Sequence, residues 1–215
     1  MTTAADTLLS PRPSLRMSEE EFHRWTLATE TRAEWVDGEV ILKMSDNEDQ
    51  DEIARLIAQV IAHIVKRRGL GKVRGPNFTT RLKLKSKTVR RDPDVMFVAA
   101  AALPRLARTV LEGPPELAVE IVSPDSEFRD FHQKYLEYEE GGVREYWIVN
   151  PLSGTIHLFV RDEKTNAFAL READKDGRFR SAVIEGLWFH PDDLFAVERP
   201  DAVTLLRRID PALLA

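Results

Sequence analysis

Asp94 and Glu120 are carboxylates 26 positions apart, each inside a run that otherwise suits a buried strand: Pro93-Asp94-Val95-Met96-Phe97-Val98 and Leu117-Ala118-Val119-Glu120-Ile121-Val122. Burying a lone carboxylate is costly unless it is paired, hydrogen-bonded or bound to a metal. Two such intrusions ask for a shared cause, and a divalent cation between adjacent strands supplies one. Mg²⁺ or Mn²⁺ suits the pair, because hard cations take oxygen ligands and keep several waters. The peptide carbonyl of Ile121 would add a further ligand. An ion held there lowers the pKa of a water and stabilises charge on a phosphodiester under in-line attack. A neighbouring ammonium would help, and Lys134 is the candidate: it lies two turns inside the helix expected after the Glu120 run, with Asp130 four residues earlier to steer it.

Spacing alone is also compatible with plainer roles. Acids in apolar strands also mark edge positions or satisfied hydrogen bonds, and a helix lysine is ordinarily solvated. A metal-free pair working as glycosidase acid and base is a third reading, although no aromatic platform for a sugar stands out. His132 reads as a surface residue of its helix, and nothing identifies His132 or His157 as a base.

The elements that must position these residues follow from the hydrophobic pattern. Ser18 with Glu21 forms a capping-box pattern and Met17 can staple onto Phe22, so a short helix begins there and runs to about 29. Residues 34–42 read as two strands around the Asp37-Gly38 turn. From 49 to 68, Ile53, Leu56, Ile57, Val60, Ile61, Ile64 and Val65 recur at helical spacing, and Gly69 and Gly71 stop the helix. His63, close to its apolar side, reads as a packed or partly exposed residue. Residues 78–84 alternate as a half-exposed strand, with 91–98 as the expected hairpin partner. A weak helix or irregular connection covers 99–110, and 117–122 is a strand covered on both faces, with Ala118, Glu120 and Val122 on one and Leu117, Val119 and Ile121 on the other. Residues 126–140 form a helix with Phe128, Phe131, Tyr135 and Tyr138 as one stripe, ended by Gly141-Gly142, and 145–150 returns as a buried strand in a parallel crossover. Segments 155–160, 167–172 and 179–183 read as an antiparallel meander.

The chain of 215 residues suits one domain able to bury a sizeable core, with 43% hydrophobic and 31% charged residues as in an ordinary globule. No run approaches the roughly 18 apolar residues of a membrane span, the start lacks a secretory pattern, and the absence of cysteine excludes disulfides and thiolate metal sites. A reducing cytoplasm is the expected compartment. A net charge of -5 speaks against indiscriminate nucleic-acid binding. Residues 66–91 nevertheless hold eleven Lys and Arg and no acid. Within them Arg81, Lys83 and Lys85 are candidate phosphate-backbone contacts; the plainer reading is a solvated hairpin edge whose lysines discourage aggregation.

Trp35-Val36-Asp37-Gly38-Glu39-Val40, Pro93-Asp94-Val95, Glu120-Ile121-Val122-Ser123-Pro124, Lys134 with Tyr138, and Gly142-Val143-Arg144-Glu145-Tyr146-Trp147-Ile148-Val149-Asn150-Pro151 resemble the Uma-type family of restriction-endonuclease-like proteins, in order and spacing from about Met17 to Phe195. The resemblance implies the PD-(D/E)XK nuclease superfamily: an α/β fold with a mixed central sheet flanked by helices, and Mg²⁺-dependent phosphodiester cleavage. Asp94 matches the metal-binding aspartate and Glu120 the second acid. The superfamily's lysine would fall where this chain has Val122, and Lys134 matches the lysine that the family supplies from the following helix. Glu39 resembles a further acid that completes the metal shell. Many members of that family carry a histidine at the start of the second helix, where this chain has Gln50.

The expectation is therefore a restriction-endonuclease-like domain over 15–198, with an N-terminal helix and hairpin and a C-terminal antiparallel meander, between extensions at 1–14 and 199–215. Its expected function is Mg²⁺-dependent cleavage of DNA, with Mn²⁺ as a substitute and a homodimer as the form that would cut both strands. The alternative is a non-cleaving module of the same fold that binds nucleic acid or a protein partner.

Overall fold

The computed structural model describes residues 15–29, 31–43 and 47–215, so the proposed 1–14 extension lies outside the described residues. Strand β1 (Leu15–Arg16) precedes helix α1 (Glu19–Thr29), the hairpin of β2 (Ala33–Val36) and β3 (Glu39–Leu42), and helix α2 (Glu48–Arg68). Next come β4 (Gly71–Arg74), β5 (Thr79–Lys83), β6 (Thr88–Arg91), β7 (Val95–Ala99), a short 3-10 turn at Ala100–Arg105, β8 (Val110–Glu112) and β9 (Leu117–Ile121). A π-helical turn, Arg129–Lys134, runs into α3 (Tyr135–Gly141). Strands β10 (Glu145–Asn150), β11 (Thr155–Arg161), β12 (Phe168–Arg171), β13 (Phe179–Arg180) and β14 (Trp188–Phe189) follow, then helices α4 (Pro191–Phe195) and α5 (Ala202–Ile209) and a closing 3-10 turn at Pro211–Leu214.

Two mixed sheets carry the structure. One has the order β1-β3-β2-β6-β5-β8, and the other β12-β11-β10-β9-β7-β4. Sequence alternation alone would make 91–98 the hairpin partner of 78–84, and the structure corrects this. Strand β5 does form a hairpin, but with β6, while β7 belongs to the other sheet, where it pairs with β4 and β9. The chain changes sheets at Asp92-Pro93-Asp94. Proline has no N–H to give a ladder, so a strand running through Pro93 is interrupted there. The meander is also shorter than its spacing implies: β11 and β12 extend the second sheet, whereas β13 leaves it to pair with β14.

Strand β9 is buried on both faces, as its apolar run requires. Leu117, Val119 and Ile121 pack with the apolar face of α2, and Ala118 and Val122 pack with Tyr138, Tyr146 and Ile148 on the opposite side. Helix α2 is held at its start by the Asn47–Gln50 capping box and at its end by Gly69 in the left-handed conformation. The 199–215 segment contributes Leu205, Leu206 and Leu213 to the same core as α2. His63, on α2, sits with Nε2 at 2.8 Å from the Leu213 carbonyl, a packed helix residue.

Helix α1 begins at the Ser18–Glu21 capping box and is tied to the first sheet through Glu19. Its carboxylate binds Arg81 and, at 2.7 Å, Arg90 Nε. The hydrogen bond from Arg81, then Arg90, against the opposing effect of partial burial, hold Glu19 down to about 2 from an ordinary 4.5. A carboxylate with a depressed folded pKa contributes stability above its unfolded pKa and loses it as pH falls through the folded value. The contribution of Glu19 should therefore fade between about pH 4.5 and 2. Urea midpoints measured at pH 6 and pH 3 should show a smaller acid loss for Glu19→Gln than for the wild type.

Candidate active site

The register of β7 on β9 brings the two predicted carboxylates together. Val95 faces Val119 across this antiparallel pair, and one step further along the same register sets Asp94 beside Glu120. Residues directly opposite in an antiparallel pair share a face. Both side chains line one cavity of about 240 Å³, together with Lys43, Gln50, Arg129 and Lys134.

Each carboxylate is held at both oxygens. Asp94 Oδ2 accepts the Ile121 amide N–H at 2.8 Å, and Oδ1 accepts from Lys43 Nζ at 3.0 Å and lies 3.4 Å from Arg32 Nη2. Glu120 Oε1 accepts the Tyr138 hydroxyl at 2.7 Å, and Oε2 lies 2.7 Å from Lys134 Nζ. Lys134 also meets Asp130 Oδ1 at 2.9 Å and Glu34 Oε1 at 3.3 Å. Glu34 passes the network on to Arg91 at 2.7 Å, whose Nε reaches Glu137 at 2.6 Å. Gln50 is buried, and its Nε2 donates to the Val122 carbonyl at 2.9 Å.

Lys134 points inward at the end of a helical turn that is not regular. Of the stripe that a regular 3.6-residue helix would bury, Phe131, Tyr135 and Tyr138 pack against the core with Tyr146 and Ile148, and Phe128, just before the π-helical turn at 129–134, does not. Phe128 is 67% exposed, while Asp130, Lys134, Glu137 and Tyr138 form the buried face. The Tyr146 hydroxyl donates to the Asp130 carbonyl at 3.0 Å inside this turn, and Ser126 Oγ donates to the Asp130 carboxylate at 2.5 Å. Single π turns within helices recur at functional sites.

The charges in this pocket settle each other's protonation. Burial pushes Glu120 upward despite Lys134 and Lys43. It works in the same direction on Glu34, where Lys134 and Arg91 overcome it and hold the group below the usual carboxylate range. Asp94 is likewise held down by Lys43, Lys134 and the Ile121 N–H against the effect of burial. Lys134 itself is raised, since Asp130, Glu120 and Glu34 outweigh its desolvation. Interacting groups of this kind titrate as a set.

The structure joins Asp94, Glu120, Lys134 and Asp130, and it does not bring Glu39 to them. Glu39 is exposed and lines a different cavity with Val36, Ile41 and Glu137. In the hairpin register Glu39 faces Val36 while Glu34 faces Ile41, so the two acids share a face but Glu39 sits about 7 Å nearer the turn. Glu34 is the hairpin acid that reaches Lys134. Neither Glu34 nor Lys43 announces itself in the sequence, because an acid in a hairpin strand and a lysine after one read as solvated. Of the basic stretch, Arg81 is engaged by Glu19 and Glu112 and Arg91 is fully buried, whereas Lys83 and Lys85 are exposed.

Among the described residues no three His, Cys, Asp or Glu side chains cluster as a metal site. The cavity lining offers an ion the Asp94 and Glu120 carboxylates, with those of Asp125 and Asp130 on the same wall and water to complete the shell. That set suits Mg²⁺, which binds through one or two carboxylates and dehydrates reluctantly.

A family model described as "Uma2: Putative restriction endonuclease" matches residues 19–195. Among solved structures, the chain is similar to the crystal structure of a "putative nuclease belonging to DUF820" from Anabaena variabilis ATCC 29413, with a TM-score of 0.64 and 18% identity over 78% of this chain and 92% of that one. At that identity the likeness is one of fold. No curated protein matches the chain. Among the described residues no helix is long and apolar enough to cross a membrane.

Proposed function

Since the chain belongs to the Uma2 family, described as putative restriction endonucleases, we propose that it is a Mg²⁺-dependent endonuclease hydrolysing phosphodiester bonds in DNA, with Asp94 and Glu120 as metal ligands and Lys134 as the catalytic cation. One observation carries this reading: two buried carboxylates from facing strand positions line a single cavity, and Lys134 Nζ lies 2.7 Å from one of them. When bound, Mg²⁺ supplies an acidified water and neutralises charge on the phosphodiester. The protein's own groups do the positioning. The Ile121 N–H and Lys43 fix the orientation of Asp94, and Tyr138 and Lys134 fix that of Glu120. Lys134 adds positive charge beside the phosphate that enters the cavity.

The experiment is cleavage of duplex, single-stranded and branched DNA in Mg²⁺, Mn²⁺ or EDTA. Product is expected with either ion and none in EDTA; no product from any of the three substrates at saturating metal would remove the reading. A non-cleaving module of the same fold is favoured by one observation, that Asp94 and Glu120 already carry ammonium partners. Calorimetric titration with Mn²⁺ separates the two, because the nuclease must show saturable binding.

Duplex DNA would meet the exposed lysines of the β5–β6 hairpin. Replacing Lys83 and Lys85 together by alanine is expected to reduce the slope of log binding constant against log salt by about 2, close to one unit for each phosphate that the protein no longer neutralises. Arg81 is excluded from that set by its ion pairs with Glu19 and Glu112. An unchanged slope in filter-binding titrations would leave the two lysines as ordinary surface.

A further inference from the structure

Three cations line the carboxylate cavity, and they are not equivalent. Lys43 and Lys134 are bound to Asp94 and Glu120. Arg129 is different: among the described residues no hydrogen bond or ion pair engages it, and its Nε is buried without an acceptor. A buried donor left without a partner carries its full desolvation penalty, and the other N–H groups of this guanidinium, on the cavity wall and not among its buried atoms, remain open to an acceptor from outside. Arg129 also lines the neighbouring cavity with Gln133 and Leu136, and so stands where the two cavities meet.

The residue before it is equally out of place. Phe128 is 67% exposed, and its ring stacks on His132 with centroids 4.6 Å apart and planes 16° from parallel. The His132 ring is held in turn by Nδ1 at 3.2 Å from the Phe128 carbonyl. One face of the phenyl ring is thus backed by a second ring and the ring is largely open to solvent, one residue before the Arg129 that lines the carboxylate cavity.

We propose that this side of the π-turn is the subsite for one unpaired nucleotide of the substrate strand: Arg129 takes its phosphate, and Phe128, backed by His132, stacks on its base. The inference rests on the nuclease reading and narrows the substrate class to single-stranded or locally unpaired nucleic acid. The guanidinium fork matches two phosphate oxygens. Every base offers a π-face, so the stack tolerates any sequence, but a base inside a duplex has that face covered by its neighbours.

The test uses full-length protein in EDTA, so that cleavage plays no part, and fluorescence anisotropy with labelled oligothymidylate of about 12 nucleotides, a duplex of equal length and an abasic deoxyribose-phosphate oligomer. The single strand should bind more tightly than the duplex. Phe128→Ala should weaken single-strand binding on the order of tenfold to a hundredfold, Phe128→Tyr should restore it, and neither should alter binding of the abasic oligomer. Arg129→Ala should weaken binding of both the oligothymidylate and the abasic oligomer and lower the salt slope by about 1. Equal or tighter duplex binding, no effect of Phe128→Ala or Arg129→Ala, or full restoration by Phe128→Leu would overturn the proposal. Cleavage in Mg²⁺ stands apart from these outcomes. A chain that binds this way without cutting keeps the subsite and loses the nuclease reading, and one that cuts duplex DNA unaffected by Phe128→Ala does the reverse.

Discussion

Replacing Lys134 by methionine is expected to cost the fold about 3–5 kcal/mol and to abolish cleavage, because it removes the shared partner of three buried carboxylates. Glu120, Asp130 and Glu34 all lie within 3.3 Å of its ammonium, and Lys134 is 1% exposed. The penalty is mostly that of stranding the acids, which gave up their solvation for that charge. For a domain of this size the loss should appear as a fall in Tm of roughly 6–20 °C. Divalent cations should reverse part of it. With the ammonium gone, Glu120 and Asp130 lose their cation while Asp94 keeps Lys43, so a Mg²⁺ ion at Glu120 offsets more charge than before and added Mg²⁺ should raise the Tm of Lys134→Met more than that of the wild type. Lys134→Gln, which keeps donor hydrogens, should lose cleavage with a smaller loss of Tm. Thermal melts with and without Mg²⁺ check this: equal Mg²⁺ shifts in variant and wild type would show that the ion does not compensate for the lost ammonium, and no shift in either would show that no ion enters the cavity.

Asp94→Asn should leave the fold in place and lower cleavage on the order of a thousandfold. The amide oxygen can still accept the Ile121 N–H, and Lys43 keeps the Asp92 carbonyl at 2.8 Å, so the turn between the two sheets retains its backbone contacts. What disappears is one of the two anionic donors proposed for the ion. An ion at the phosphate contributes several kcal/mol to the transition state, and each 1.36 kcal/mol is tenfold in rate. Single-turnover cleavage set beside the far-UV spectrum separates chemistry from folding. A rate within about tenfold of wild type would mean that Asp94 holds no catalytic ion.

Much of the frame is legible in local pattern. The apolar spacing over 49–68 corresponds to α2, and Asp37 and Gly38 take the positive φ angles, 46° and 93°, that their pairing in a tight hairpin requires. The alternation along 117–122 places Glu120 on the face opposite Leu117, Val119 and Ile121, as β9 does. The pairing of Asp130 with Lys134 is legible for the same reason, since a four-residue spacing is a local geometric fact.

The sequence by itself determined which residues stand out as chemically costly, Asp94 and Glu120, which lysine could join them, Lys134, and which short elements carry them, because propensity, periodicity and turn chemistry act over a few residues. Tertiary structure alone decided what those residues meet. The change of sheet at Pro93, the register that sets Asp94 beside Glu120, and the arrival of Glu34 and Lys43 all depend on contacts between segments far apart in the chain. The π-turn that follows the exposed Phe128 belongs with them. One extra residue in a helical turn rotates every later side chain, and a pattern read at 3.6 residues per turn has no means of registering it.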